Sequence, residues 1–315
     1  MQPTYYLAPL RGVTDYIFRT AFERNFGQFD FLLTPFITTV KGREVTPAHL
    51  RDISGPGNDR QRVVPQILGN DPDDILLLAD HVRRLGYQTV NWNLGCPHQP
   101  VTKKRRGSGL LPHPELVASV LDKVLYRFDG AFSVKVRLGL NSGDDLENLI
   151  PVLNSYPLKE IIIHPRTGRQ GYAGSVDLDR FASAATVCTG EVVYNGDISS
   201  LEGFEALQRR FPEVNRWMVG RGVAHNPLLL RSLRDGRKCR AEPEAMRRFH
   251  DEVFEENRRM LFGPSHLLGK MKEFWWYFSA NFNRGQKILR AIQRTVSVDR
   301  YLQLVDEAFQ NSGTR

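Results

Sequence analysis

The chain has 315 residues, enough for two ordinary domains or for one barrel-sized domain with an appendage. Hydrophobic residues make up 41% and charged residues 25%, which excludes a disordered tail protein, and no run reaches the ~18 apolar residues of a membrane span. The net charge of +8 points toward a polyanionic partner, nucleic acid first.

In chain order, β-rich runs fall at 4–10, 30–36, 63–69, 88–95, 132–139, 160–167, 191–198 and 216–221. Several are apolar on both faces, as strands buried in a parallel sheet are. The opening segment, MQPTYYLAPLRG, has no basic stretch followed by an apolar one, so export is not expected. Helical patterns separate the strands. One starts at Asp71-Pro72-Asp73-Asp74 and ends with Arg83, Arg84 and Gly86, acid first and base last. Others open at Pro114, Asp144 and Ser199. The stretch 37–62 should hold a second helix but reads mostly as loop. Eight alternations predict an α/β chain, a (β/α)₈ TIM barrel, with a doubly wound open sheet as the structural rival. Past residue 237 only helical periodicity remains, so the barrel is expected over 1–237 and a smaller all-helical domain over 238–315. Nine basic residues stand against two acidic ones between Arg258 and Arg300, which concentrates the excess charge there.

Active sites of such barrels lie at the C-terminal ends of the strands. Those ends carry Ala8-Pro9-Leu10, Gln66, Asn91-Trp92-Asn93-Leu94-Gly95-Cys96-Pro97, Lys135-Val136-Arg137, His164-Pro165-Arg166-Thr167, Asn195-Gly196-Asp197 and Gly220-Arg221-Gly222. Polar groups are costly inside strands without partners, so a shared polar ligand is expected. The glycine-bearing ends of the last two runs, 191–198 and 216–221, with Arg221, mark the usual phosphate position. Lys135 reads either as a contact to a phosphorylated cofactor or as half of an internal salt bridge. His164 reads as a cofactor contact, a substrate contact or a core histidine. Cys96 is a candidate acid or nucleophile, whereas Cys188 and Cys239 read as packing residues. Three widely spaced cysteines argue against a disulfide framework or structural zinc, and for a reducing cytosol. Lys103, Lys104, Arg105 and Arg106 form a basic run in the loop after Cys96, suited to a phosphate-bearing substrate.

Together these motifs resemble the tRNA-dihydrouridine synthases, in order and spacing, over roughly residues 6–225. The helical segment GKMKEFWWYF is similar to that family's basic-aromatic helix. Leu10 stands where the family has Met, Pro165 where Gly or Ala is common, and Leu178 where Trp is frequent. The resemblance implies FMN on the barrel, NADPH as reductant and tRNA as substrate, with hydride passing from flavin N5 to uracil C6. Cys96 matches the family's proton donor to C5. Ala8, Pro9 and Leu10 would line the flavin. Gln66, Lys135 and His164 would hydrogen-bond it, and Asn195, Gly196, Asp197, Gly220 and Arg221 would hold its phosphate end. Asn93, Arg137, Arg166 and Tyr172 would meet the uridine. Lys103, Lys104, Arg105 and Arg106, with Lys270, Lys272, Arg284, Lys287 and Arg290, would grip RNA backbone. The target base has to leave the RNA stack to react. A monomer without metal or membrane attachment is expected. Three other readings stay open: an FMN barrel oxidoreductase acting on a free dihydropyrimidine-type molecule, a barrel repurposed for RNA binding or RNA methylation, and a flavin-free phosphate-binding lyase, for which Lys135 stands without an obvious Schiff-base constellation.

Overall fold

The computed structural model of the chain describes residues 2–42, 44–240 and 242–311. The chain groups into two compact units. The first holds the residues up to Pro9, Asp30–Asp197 and Gln208–Met218. The second holds Leu10–Phe29, Ile198–Leu207 and the residues from Val219 onward.

The first unit is built on one parallel sheet. Its strands are β1 (Thr4–Leu7), β2 (Phe31–Leu33), β3 (Ile37–Thr38), β4 (Val63–Val64), β5 (Gln66–Leu68), β6 (Thr89–Leu94), β7 (Ala131–Gly139), β8 (Ile161–Thr167), β9 (Val192–Tyr194) and β10 (Arg216–Val219). The spatial order is β3-β5-β6-β7-β8-β9-β10-β1-β2-β4. β2 pairs with β4, with Leu32 opposite Val63, and β3 pairs with β5, with Ile37 opposite Ile67. The two ends of the order are therefore halves of the same two staves. The sheet closes on itself as an eight-staved barrel, and the open-sheet rival is excluded. The breaks fall beside Pro35 and Pro65, which have no N–H to give to a ladder.

The helices are α1 (Tyr16–Phe26), α2 (Pro47–Ser54), α3 (Pro72–Arg84), α4 (Gln99–Thr102), α5 (Pro114–Arg127), α6 (Asp144–Asn154), α7 (Leu178–Val187) and α8 (Leu201–Arg210). They continue as α9 (Arg221–His225), α10 (Leu229–Asp235), α11 (Pro243–Met260), α12 (Pro264–Phe278), α13 (Gly285–Arg294) and α14 (Val298–Asn311). Asp71 caps α3 as its acidic start predicts, accepting from the backbone N–H of Asp73 and Asp74 at 3.0 and 3.1 Å. The loop-like stretch 37–62 does contain a helix, α2. It is only eight residues long, with Pro47 in its first turn and the Thr46 N–H donating to His49 Nδ1 at 3.2 Å. Its small apolar face, Leu50 and Ile53, explains the weak sequence signal.

The barrel interior is divided. Tyr6, Ala8, Leu33, Val64, Ile162, Val193 and Met218 form one apolar cluster from β8 around to β4. The inward positions of β5, β6 and β7 carry amides, a hydroxyl and cations instead. At the N-terminal end of the staves, Tyr6 Oη donates to the buried Glu160 at 2.8 Å and accepts from Arg216 at 2.9 Å. Burial pushes the Glu160 carboxyl up, against the pull of Tyr6, Lys159 and Arg216.

The second unit has an aromatic core. Phe249 of α11 meets Phe18, Phe22 and Phe26 of α1 edge-on, at 5.4, 6.2 and 5.1 Å between centroids. The fully buried His250 bonds Tyr301 Oη at 2.6 Å, and Trp275 Nε1 donates to the same oxygen at 2.9 Å. Helix α1 follows the first strand in the chain, yet its apolar face packs on α11.

Candidate active site

The polar half of the barrel forms a continuous hydrogen-bonded chain. Gln66 on β5 lies opposite Asn91 on β6, and Asn91 lies opposite Ser133 on β7. Gln66 Nε2 donates to Asn91 Oδ1 at 2.7 Å, and Asn91 Nδ2 donates to Ser133 Oγ at 2.8 Å. Asn93 Nδ2 in turn donates to Gln66 Oε1 at 2.6 Å. Asn93 Oδ1 then accepts from the backbone N–H of Gly95 and Cys96, at 3.1 and 2.8 Å. The amides thus hold the residue after the strand in place through its own backbone. Ser133 is a part of this scaffold that the motif reading passed over, and Asn91 stands among the strand-end residues without a role of its own there. Their spacing, Asn91-x-Asn93 and Ser133-x-Lys135-x-Arg137, is the period of two that puts side chains on one sheet face.

Cys96 is half-buried and forms no disulfide, and neither do Cys188 and Cys239. Its carbonyl accepts from the Ser108 N–H and from Ser108 Oγ, both at 3.1 Å. Gly107 packs so closely that a Cβ there would lie 2.6 Å from that carbonyl, and its φ is +56°. Arg137 fastens the other side. Its guanidinium donates to Gly95 O at 2.9 Å, Thr167 O at 2.9 Å and Gly171 O at 2.7 Å. It also lies 5.5 Å from the centre of the Tyr172 ring. One arginine therefore ties the turn after β6 to the loop after β8, and Tyr172 stands 53% exposed above it.

Lys135 faces the same interior, opposite Asn93 in register. Among the described residues its ammonium has no hydrogen bond and no ion pair, so the internal salt bridge is not formed. Burial, with the charge of Arg137 nearby, brings it down to about 7. His164 Nε2 sits 3.2 Å from Arg166 Nη1. A guanidinium can only donate, so Nε2 is the acceptor and Nδ1 carries the proton. Arg166 is buried and grips Asp197 with both nitrogens, Nη1 to Oδ1 at 3.0 Å, and also donates to Gly174 O at 2.7 Å. Asp197 adopts a φ of +43°, rare for a residue with a Cβ. Asn195 Nδ2 donates to Met218 O at 2.9 Å and so links β9 to β10.

These observations place Ala8, Pro9, Gln66, Asn93, Cys96, Lys135, Arg137, His164, Arg166, Tyr172, Asn195, Gly196 and Asp197 in the first unit. Leu10, Gly220 and Arg221 belong to the second. The family model for dihydrouridine synthase (Dus) matches residues 6–313 of the chain. The chain belongs to the dihydrouridine synthase family. A tRNA-dihydrouridine(16) synthase of Aquipseudomonas alcaligenes is 26% identical over 313 residues, covering 95% of this chain and 98% of that relative. A tRNA-dihydrouridine synthase B of Pseudomonas aeruginosa is 30% identical over 245 residues, covering 75% and 72%. Among solved structures, morphinone reductase in complex with tetrahydroNAD superposes with a TM-score of 0.53 at 10% identity, covering 76% of this chain and 89% of that one. Histamine dehydrogenase from Rhizobium sp. 4-9 gives 0.57 at 11%, covering 79% and 48%. At such identities these two show a shared barrel fold.

The dihydrouridine synthase family thus accounts for the oxidoreductase class of the chain. The basic residues predicted to meet RNA divide by environment. Lys103, Lys104 and Arg105 are exposed, but Arg106 is half-buried, with Nε donating to Asn70 Oδ1 at 3.0 Å and Nη1 to Thr39 O at 3.3 Å. In the second unit Arg284, Lys287 and Arg290 are exposed. Lys270 is not a free surface cation. It pairs with the Asp15 carboxylate and donates to Gly12 O at 2.7 Å. Among the described residues there is no cluster of metal ligands and no helix long and apolar enough to cross a membrane.

Proposed function

We propose that this protein reduces specific uridines of tRNA to 5,6-dihydrouridine, with FMN as cofactor and NADPH as reductant, working as a cytoplasmic monomer. The observation that carries the reading is the unpartnered Lys135 ammonium, which stands beside a rigid Asn93–Cys96 turn inside the polar half of the barrel. A cation half-buried inside the barrel without a counter-charge is costly unless an anionic or electron-rich group comes to it. The residues therefore fit a phosphorylated flavin. When bound, FMN would supply the hydride for reduction of the uracil ring.

This chain's own residues do the rest. Cys96 Sγ gives the proton to C5, acting as the general acid. Asn93 and Ser108 hold the Cys96 backbone so that the thiol meets the base in one geometry. Arg137 keeps the loops after β6 and β8 together, and the exposed Tyr172 ring beside it is available to stack on the uridine. Lys135 and His164 would contact the flavin, and Ala8, Pro9 and Leu10 would line it. The Asp197 carboxylate would repel a phosphate, so its part is to position Arg166. Contacts to the phosphate end fall to backbone groups at Asn195 and Gly196 and to Gly220 and Arg221. Residues 238–315 serve as the RNA-binding domain. Nucleoside mass spectrometry, mapped by position, on tRNA from cells with and without the gene tests the proposal. The expected result is that one or more dihydrouridines disappear on deletion and return with the gene. An unchanged modification profile would overturn it.

A further inference from the structure

The second unit carries a cleft of about 540 Å³, lined by Arg11, Lys272, Glu273, Trp276, Tyr277 and Gln293 among others. Its size falls within the ~300–1,000 Å³ common for ligand pockets. Helix α12 buries Phe274, Trp275 and Phe278 in the aromatic core. The next aromatic residue along, Trp276, is turned outward with 61% of its surface accessible, while Trp92, Trp217 and Trp275 are at 0%. Among the described residues the Trp276 indole has neither a hydrogen bond nor a ring contact. Lys272 precedes it by four positions, so both project from one helix face. Among the described residues the Lys272 ammonium has no hydrogen bond or ion pair either, in contrast to Lys270, whose charge is spent on Asp15. Across the cleft, Gln293 on α13 donates its Nε2 to Lys272 O at 3.1 Å and so ties the two helices at this point. Arg11 adds a second cation to the lining. Glu273 is the one acid among these residues, and it packs against Gly12, which leaves it room.

An exposed indole beside an unpaired ammonium is a combination with a definite chemistry. The ring offers a stacking face to any nucleobase, and the ammonium offers a point charge to a phosphate. The surrounding stretch from Arg258 to Arg300 carries nine basic residues against two acidic, which favours a polyanion over a neutral or basic partner, and the exposed indole favours one that carries bases to stack. We propose that this cleft holds one unstacked nucleotide of the bound RNA, its base against Trp276 and its phosphate between Lys272 and Arg11. The inference rests on the tRNA-reducing function and adds a second point of nucleotide capture apart from the reacting uridine.

Trp276 is the one exposed tryptophan, so its fluorescence reports on the cleft directly. Full-length protein is titrated with an unmodified tRNA transcript, following tryptophan emission and its accessibility to acrylamide, with filter retention measuring binding in parallel. The expected result is quenching and shielding that track retention, both abolished in Trp276→Phe while RNA binding persists. Trp276→Ala should weaken RNA binding by about 5- to 150-fold, the range for losing one stacked base, with an unchanged salt slope. Lys272→Ala should instead flatten the slope of log affinity against log salt by about 0.7. RNA retained on the filter with an unshielded indole, or full affinity in Trp276→Ala, would overturn this cleft alone. No RNA retention at all would remove the tRNA function and the cleft together.

Discussion

Cys96 and Lys135 are the two side chains whose chemistry can be tested separately. Cys96→Ala should slow uridine reduction by about 10²–10⁴-fold, the usual worth of a general acid, and leave NADPH-driven reduction of the flavin unchanged. Single-turnover measurements on pre-reduced enzyme check this, and equal rates would take Cys96 out of the reaction. Lys135 makes a claim about stability as well. Its ammonium falls from the ordinary 10.5 to about 7 in the folded chain. Between those values the unfolded chain binds more protons than the folded one, so this group makes the protein more stable as pH rises through the window. Lys135→Met should therefore raise the Tm of flavin-free protein at and below pH 7 and weaken FMN retention. Its Tm advantage should fade toward pH 10.5. Thermal scans across pH, with flavin release measured alongside, decide it. That Lys135 points inward was legible from its place in the period-two pattern of β7. That it lacks a counter-charge was not, because the absence of a partner depends on all the other staves.

At the scale of elements, hydrophobic runs and capping residues made the strands and most helices readable, since both are local. What could not be read is which surface an apolar face meets. Helix α1 looks like any barrel helix in its periodicity, but its phenylalanines pack on Phe249, more than 220 positions later. The same distance hid the role of Lys270, whose partner Asp15 lies 255 residues away. Two substitutions test the joints between elements. Tyr301→Phe removes the oxygen that Trp275 and His250 share, leaving their buried polar atoms unmatched. It should destabilise the fold by about 1–3 kcal/mol, measured by urea unfolding. Arg137→Lys keeps the charge but loses the fork that reaches three carbonyls. It should loosen the 167–171 loop, seen as faster amide hydrogen exchange there, and lower turnover more than RNA affinity.

For the whole molecule, the distribution of charge is the quantity to vary. Lys270 is tied inward, so the informative change is reversal to Glu at Lys272, Lys287 and Arg290. For every phosphate that the protein no longer neutralises, the salt slope of tRNA affinity should flatten by about 0.7–0.9. A filter-binding series over salt measures it, and an unchanged slope would make this basic face an ordinary solvated surface.

The closure of the barrel has a consequence in time. β1 lies between β2 and β10, and Tyr6 is bonded to Arg216, 210 residues later. During synthesis at ~5–20 residues per second, the β10 side of the first strand waits roughly 10–40 s for its neighbour. Throughout that interval the nascent chain presents an apolar, hydrogen-bond-hungry strand edge, the kind that recruits other strands. The interval in which this protein most needs protection from aggregation is therefore set by the order of its strands, and it ends when residues 216–219 clear the ribosome.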